Sequence, residues 1–320
     1  MSSPPAKRKR TEDSQITRSE SIWIPDGNVI LQAGNMQFRV HFGVLARHSA
    51  VFRDMQGLPQ PPDEPRIEGC PVLELSDNPE DVEYVLKALY DPTFHSQETL
   101  PLPVVRALVR LGRKYEFKAL LNSAVARLTT ECPRSLDKCD NLITTGKWRT
   151  IEGYGGIYFD IPTLASENNI LTALPFAYYM LVVMNCPGEL FDGIVNSDGT
   201  RSSLPQVDLR RCAVGQQRLH LKQLAAGYTF GWARSKESTG CMSLALCQKL
   251  REGFIRAFTE GSPNICALIP HDTEGLNRYE FCASCALHMR ESVAAGRKRI
   301  WEELPEIFDL PPWNELENDL

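Results

Sequence analysis

Residues 28–55 read NVILQAGNMQFRVHFGVLARHSAVFRDM, and the order of patterns inside this stretch decides the fold of the N-terminal part of the chain. Asn28–Gln32 and Met36–Val40 are short runs of β-formers separated by Ala33, Gly34 and Asn35, a tight-turn signal, so they read as a hairpin. Val44, Leu45 and His48 then share one helical face. Ser49 is placed to cap the next turn, which presents Val51, Phe52 and Met55.

Working outward, a proline-rich loop (Pro59, Pro61, Pro62, Pro65) precedes a third strand at Val72–Leu75. Asp77 and Glu80 form a capping-box pair that opens a helix striped by Val82, Val85, Leu86 and Leu89. Two more helices follow, one carrying Val104, Val105, Leu108, Leu111 and Tyr115, the other Leu121, Ala124, Val125 and Leu128. Hairpin, helix pair, strand and three helices make an α+β domain over residues 21–132, with a small sheet and a helical majority.

This order, together with Phe38-x2-His41-x3-Leu45-Ala46-x2-Ser49-x2-Phe52, the Leu75 strand, the helix ending at Leu89–Tyr90 and the Lys114–Tyr115 pair, resembles the BTB/POZ family. The flavour is closest to the expanded fungal, basidiomycete-type group of BTB proteins. The resemblance implies homo- or heterodimerisation and protein binding in place of catalysis. The residues themselves are read structurally: Phe38, Leu45 and Phe52 as core, Ser49 as a cap, and His41 as a satisfied histidine at a strand-to-helix junction. Cullin-binding members carry a hydrophobic-x-Glu motif after Phe-x2-Met, where this chain has Leu58-Pro59-Gln60. Transcriptional members place charges in a pocket whose aligned positions here are Asn28 and Phe42. The expectation is an interaction module that self-associates and presents its remaining domain to a partner. The alternatives are a substrate receptor or adaptor for a cullin-type ubiquitin ligase, and a nuclear transcription-related scaffold.

At 320 residues there is room for two domains with separate cores. A net charge of −5 and the lack of zinc-finger pairs or a basic zipper argue against direct nucleic-acid binding. Residues 1–20 are polar and charged and read as a disordered tail. They hold no apolar signal core, so the ten cysteines read as reduced thiols in a nuclear or cytoplasmic protein. Lys7, Arg8, Lys9 and Arg10, beside Pro4 and Pro5, form an accessible basic run that fits a nuclear import signal or simply a solvated tail.

Residues 133–320 read as a mostly α-helical domain. Ile170–Met184 is its longest apolar stretch, too short to span a membrane and apolar nearly all round, hence a buried helix. Further helices are expected over Val207–Leu224, on a face of Leu246, Leu250, Phe254 and Phe258, and over Asn277–Leu304. Gly153–Gly156 reads as a turn feeding a short extended piece at Ile157–Phe159. Its glycines lack dinucleotide spacing, and no solenoid or propeller repeat is visible. Trp301, Phe308 and Trp313, set among prolines and aliphatics, are expected to dock back as a Trp/Pro-rich tail in preference to serving as a free peptide motif.

The only metal-like spacing is Cys282-x2-Cys285-x2-His288, for which Cys266 or His271 could supply a fourth zinc ligand. The same segment makes an apolar helical stripe of Cys282, Cys285, Met289 and Val293, and buried cysteines are common core residues, so the expectation is no metal and no cofactor. Nucleophile elbow, His-Glu-x2-His and phosphate loop are all missing from the sequence, and no enzyme activity is expected.

Overall fold

The computed structural model describes residues 16–57, 65–235, 240–260, 265–268, 270 and 279–320. They form two compact units: one holds the described residues up to Gln97 with Pro103–Ser123, the other Glu98–Leu102 with Ala124–Leu320. The division falls at Ser123, inside the helix Lys118–Glu131, a few residues before the boundary that the sequence pattern sets after Cys132. The second half of that helix bonds into the second unit. Arg127 donates to the carbonyls of Glu98 and Thr150, and the Glu131 carboxylate accepts from the backbone N–H groups of Arg149 and Thr150.

The first unit is built on a five-stranded sheet of β1 (Thr17–Trp23), β2 (Val29–Ala33), β3 (Met36–Val40), β4 (Arg66–Ile67) and β5 (Cys70–Leu75), in the order β1-β3-β2-β5-β4. β2 and β3 are the expected hairpin, with Ala33 opposite Met36. Gly34 takes a φ of +54° in the two-residue turn, which a side chain would resist. β2 also runs parallel to β5, so it is central, and Ile30, Leu31 and Ala33 are fully enclosed. β1 shortens the segment read as a tail at its end, since the strand begins at Thr17 and pairs parallel with β3, while residues 1–15 of that segment lie outside the described residues. Its sequence, TRSESIW, buries only Ser19 and Ile22, so no alternation of apolar residues announced it; the backbone ladder holds it.

With the sheet go α1 (Phe42–His48), α2 (Ala50–Met55), α3 (Pro79–Tyr90), which packs on β1 and β2, α4 (Pro92–His95), which packs on α3, α5 (Leu102–Lys114) and the first part of α6 (Lys118–Glu131). Ser49 caps α2 as expected, its hydroxyl oxygen accepting from the Phe52 N–H at 3.1 Å. The cap of α3 is Asn78, which accepts from the Glu80 N–H at 2.8 Å, and not Asp77. Pro79 occupies the first helical turn and sets the residue before it extended, as an N-cap must be. Asp77 is thereby free to take Lys114 Nζ at 2.7 Å and the Tyr115 hydroxyl at 2.5 Å.

The second unit is helical: α7 (Leu136–Thr145), α8 (Ile157–Glu167), α9 (Leu174–Met184), α10 (Pro187–Asp192), α11 (Gln206–Gln223), α12 (Leu244–Glu260), α13 (Ala283–Glu302) and α14 (Leu304–Ile307), with a small sheet of β6 (Ile194–Val195) and β7 (Arg201–Ser202). Residues 157–159, expected to be extended, form the first turn of α8. Their aromatic and β-branched composition imitates a strand, and burial of Ile157, Phe159, Ile161 and Leu164 on the helix overrides it. α9 is buried almost all round, from Leu174 to Val182. On α12 the buried face is Cys247, Arg251 and Phe254, with Phe258 partly covered; Leu246, placed on that face by the sequence pattern, is exposed.

The C-terminal residues lie against their own unit. Trp301, Leu304, Ile307, Phe308, Leu310 and Leu316 are buried. Trp313 stacks on Trp301 with centroids 5.3 Å apart, and its indole N–H donates to the Trp301 carbonyl at 2.7 Å. Two glycines permit close approach. A Cβ on Gly215 would stand 2.2 Å from the Phe308 ring, and one on Gly296 would stand 2.2 Å from the Thr229 backbone nitrogen.

Gly296→Ala should therefore destabilise the protein by about 1–3 kcal/mol through overpacking against backbone. Gly253→Ala, on α12 with open space around it, should gain roughly 1 kcal/mol of helix propensity. Opposite shifts in urea midpoint check the pair; equal shifts would refute the packing account. Trp301→Ala should cost about 3–5 kcal/mol, and a thermal melt without a clear fall in Tm would place that ring outside the core.

Candidate interaction domain and a four-cysteine cluster

The anchors of the first unit converge where β3 meets the helix pair. Phe38, Leu45, Ser49 and Phe52 are buried. Phe52 lies 5.1 Å from the Tyr115 ring and 5.9 Å from Phe117, with Phe42 edge-on at 6.3 Å. The Ser49 hydroxyl donates to the Tyr115 carbonyl while it caps α2, tying the helix pair to the end of α5. His41 donates its backbone N–H to the Tyr90 hydroxyl at 2.7 Å. Its ring places Nδ1 3.3 Å from the same oxygen and Nε2 3.3 Å from the exposed Asp26 carboxylate. Burial raises the hydroxyl pKa of both Tyr90 and Tyr115, so both stay protonated near neutrality. Asn28 and Phe42, the positions where charges were sought, hold each other: Asn28 Oδ1 accepts from the Phe42 N–H at 2.8 Å. Each of these bonds closes a cap or a junction, which is structural work.

Compared with models of known families, residues 27–131 match the BTB/POZ domain. This segment is a BTB/POZ domain. It takes in all five anchors, Phe38, His41, Leu45, Ser49 and Phe52, and a BTB/POZ domain is a protein–protein interaction and dimerisation module. The match is to the domain at large and does not distinguish a fungal group. No curated protein matches the chain. Leu58-Pro59-Gln60, the basic run Lys7–Arg10 and His271 lie outside the described residues. Among the described residues no helix is long and apolar enough to cross a membrane.

The helical unit contributes two features. The first is a cavity of about 250 Å³, mostly apolar, walled by Trp148, Tyr158, Phe176, Tyr179, Met180 and Val183. Its acidic group, Glu131, is already engaged by Arg149 and Thr150, so the space offers shape and apolar area without a poised base. The second is a cluster of thiols. Cys282 and Cys285 are joined by Cys241 and Cys247, the four sulfurs all within 4.8 Å of one another. His288 and Cys266, both named with this motif from the sequence, are not part of the group. Cys282 is the N-cap of α13 and Cys285 lies in its first turn, while Cys247 lies in the first turn of α12. The Cys282 thiol is held below its ordinary pKa by the backbone N–H groups of Cys285 and Met242, and burial pushes Cys247 up. The x5 spacing of Cys241 and Cys247 is not a familiar ligand pair, and it falls in a segment patterned as an apolar helix face. The usable signal was the second pair of cysteines within one helical domain.

Ser49→Ala removes a cap and leaves the Tyr115 carbonyl without its donor. A loss of about 1–2 kcal/mol in denaturant unfolding is expected, and an unchanged midpoint would mean that Ser49 is not a hub of the domain.

Proposed function

We propose that the chain is a non-enzymatic interaction protein that self-associates through its BTB/POZ domain and presents the helical unit to a protein partner. The observation that carries this reading is the match over residues 27–131, with the matched anchors all committed to packing and capping. The helical unit supports it with an apolar cavity and with Met242, Leu244 and Leu246, three exposed apolar side chains within five residues. An adaptor role with a cullin-type ligase, a nuclear scaffold role and membership of a fungal subgroup are narrower forms of the same proposal, supported by the sequence resemblance alone.

Sedimentation equilibrium of the full chain at micromolar concentration should give the mass of two chains or more. A monomer throughout that range would sink the self-association reading. Pull-down with mass spectrometry then separates the narrower forms, a cullin among the specific partners favouring the ligase adaptor.

A further inference from the structure

We propose that Cys241, Cys247, Cys282 and Cys285 bind one zinc ion as a structural four-thiolate site. This is independent of the self-association reading, because the site lies wholly within the helical unit.

The geometry is the first argument. Zinc–sulfur bonds of about 2.3 Å in a tetrahedron put the sulfurs about 3.8 Å apart. Here all four sulfurs lie within 4.8 Å of one another, and Cys241 Sγ and Cys282 Sγ are 3.9 Å apart. That separation is far longer than the roughly 2.05 Å of a disulfide, and all four cysteines are free thiols. A multi-iron cluster would need its sulfurs spread wider to leave room for further irons and sulfides, so a single ion fits best. Four protein ligands leave no open position, which marks a structural site and not a catalytic one.

The second argument is charge. Arg251, on the buried face of α12, is only 6% exposed. Its guanidinium donates to the Ser235 carbonyl at 2.7 Å and to Cys285 Sγ at 3.5 Å, Nε has no partner, and no carboxylate pairs with it among the described residues. A cation taken out of water without a counter-charge is costly. When zinc binds, the four thiols release their protons to solvent, and Zn²⁺ with four thiolates carries a net charge of −2 beside the guanidinium. Arg251 thus offsets the charge of the site and orients one ligand, as supporting groups around metal centres do.

The placement says what the ion would hold. Cys241 and Cys247 come from the segment entering α12, Cys282 and Cys285 from the start of α13, and both helices pack on one core with Trp232, Phe254, Met289 and Val293. The ion would cross-link the starts of the two helices above that core.

Elemental analysis of the full chain, purified under reducing conditions without chelator, should find one zinc per chain. Titrating the chelator-stripped protein with cobalt(II) should give the visible bands of a tetrahedral thiolate complex, saturating at one equivalent. Cys247→Ser and Cys285→Ser should bring the zinc content below about one tenth of an ion, while Cys186→Ser, at an exposed cysteine outside the group, keeps it at one. If the ligand variants do not fold, the cobalt titration of the unmutated chain still decides. Arg251→Met should weaken zinc affinity about 10–100-fold with the stoichiometry unchanged; unchanged affinity would overturn the role given to Arg251. The site itself is overturned by a chain that binds neither ion, by iron in place of zinc, or by an unreduced mass four hydrogens light, which would report two disulfides.

Discussion

Tyr178 and Tyr179 sit side by side on α9, a helix with almost no solvent-facing side, and each hydroxyl must be satisfied in a different direction. Tyr178 donates to Asp208 of α11 at 2.5 Å, and Asp208, itself buried, also accepts from Ser166 of α8. Tyr179 accepts from the Leu268 N–H at 3.0 Å. An apolar helix could settle against its neighbours in several rotations. Two buried hydroxyls with fixed partners leave one, and the helical unit is arranged around it. Phe308 then closes over Tyr178, centroids 5.6 Å apart, in the space that Gly215 leaves open.

The BTB/POZ domain shows the same logic on a smaller scale. Ser49 serves a helix end and the Tyr115 carbonyl, Asp77 serves Lys114 and Tyr115, and the Tyr90 hydroxyl serves His41. Residues that look functional by type thereby join elements of the domain to one another. This is how a motif of polar and aromatic residues can be structural throughout while the domain that carries it works by binding.

The hairpin, the Ser49 cap, the apolar stripe of α3 and the buried α9 were legible because each rests on local pattern: a tight turn, a short polar cap, a period of 3.6, an unbroken apolar run. The misses share a different cause. β1 is held by a ladder to β3, and a polar strand carries no pattern of its own. Residues 157–159 resemble a strand until burial of a longer face is counted. On α12 an arginine and a cysteine occupy core positions, where local reading expects leucines. Cys282 and Cys285 could be singled out by spacing, but the other two thiols are their neighbours only through tertiary packing, and proximity of that kind leaves no mark along the chain.

Trp301 and Trp313 stack with planes 17° apart, and two indoles held so close share their electronic transitions. Coupled transitions of this kind produce a paired signal in far-ultraviolet circular dichroism that neither ring gives alone. The closing turn of the chain therefore carries its own optical reporter. Release of Trp313 from Trp301 would erase the couplet while the helical signal persisted, so the seating of the last twenty residues can be followed in solution without a label.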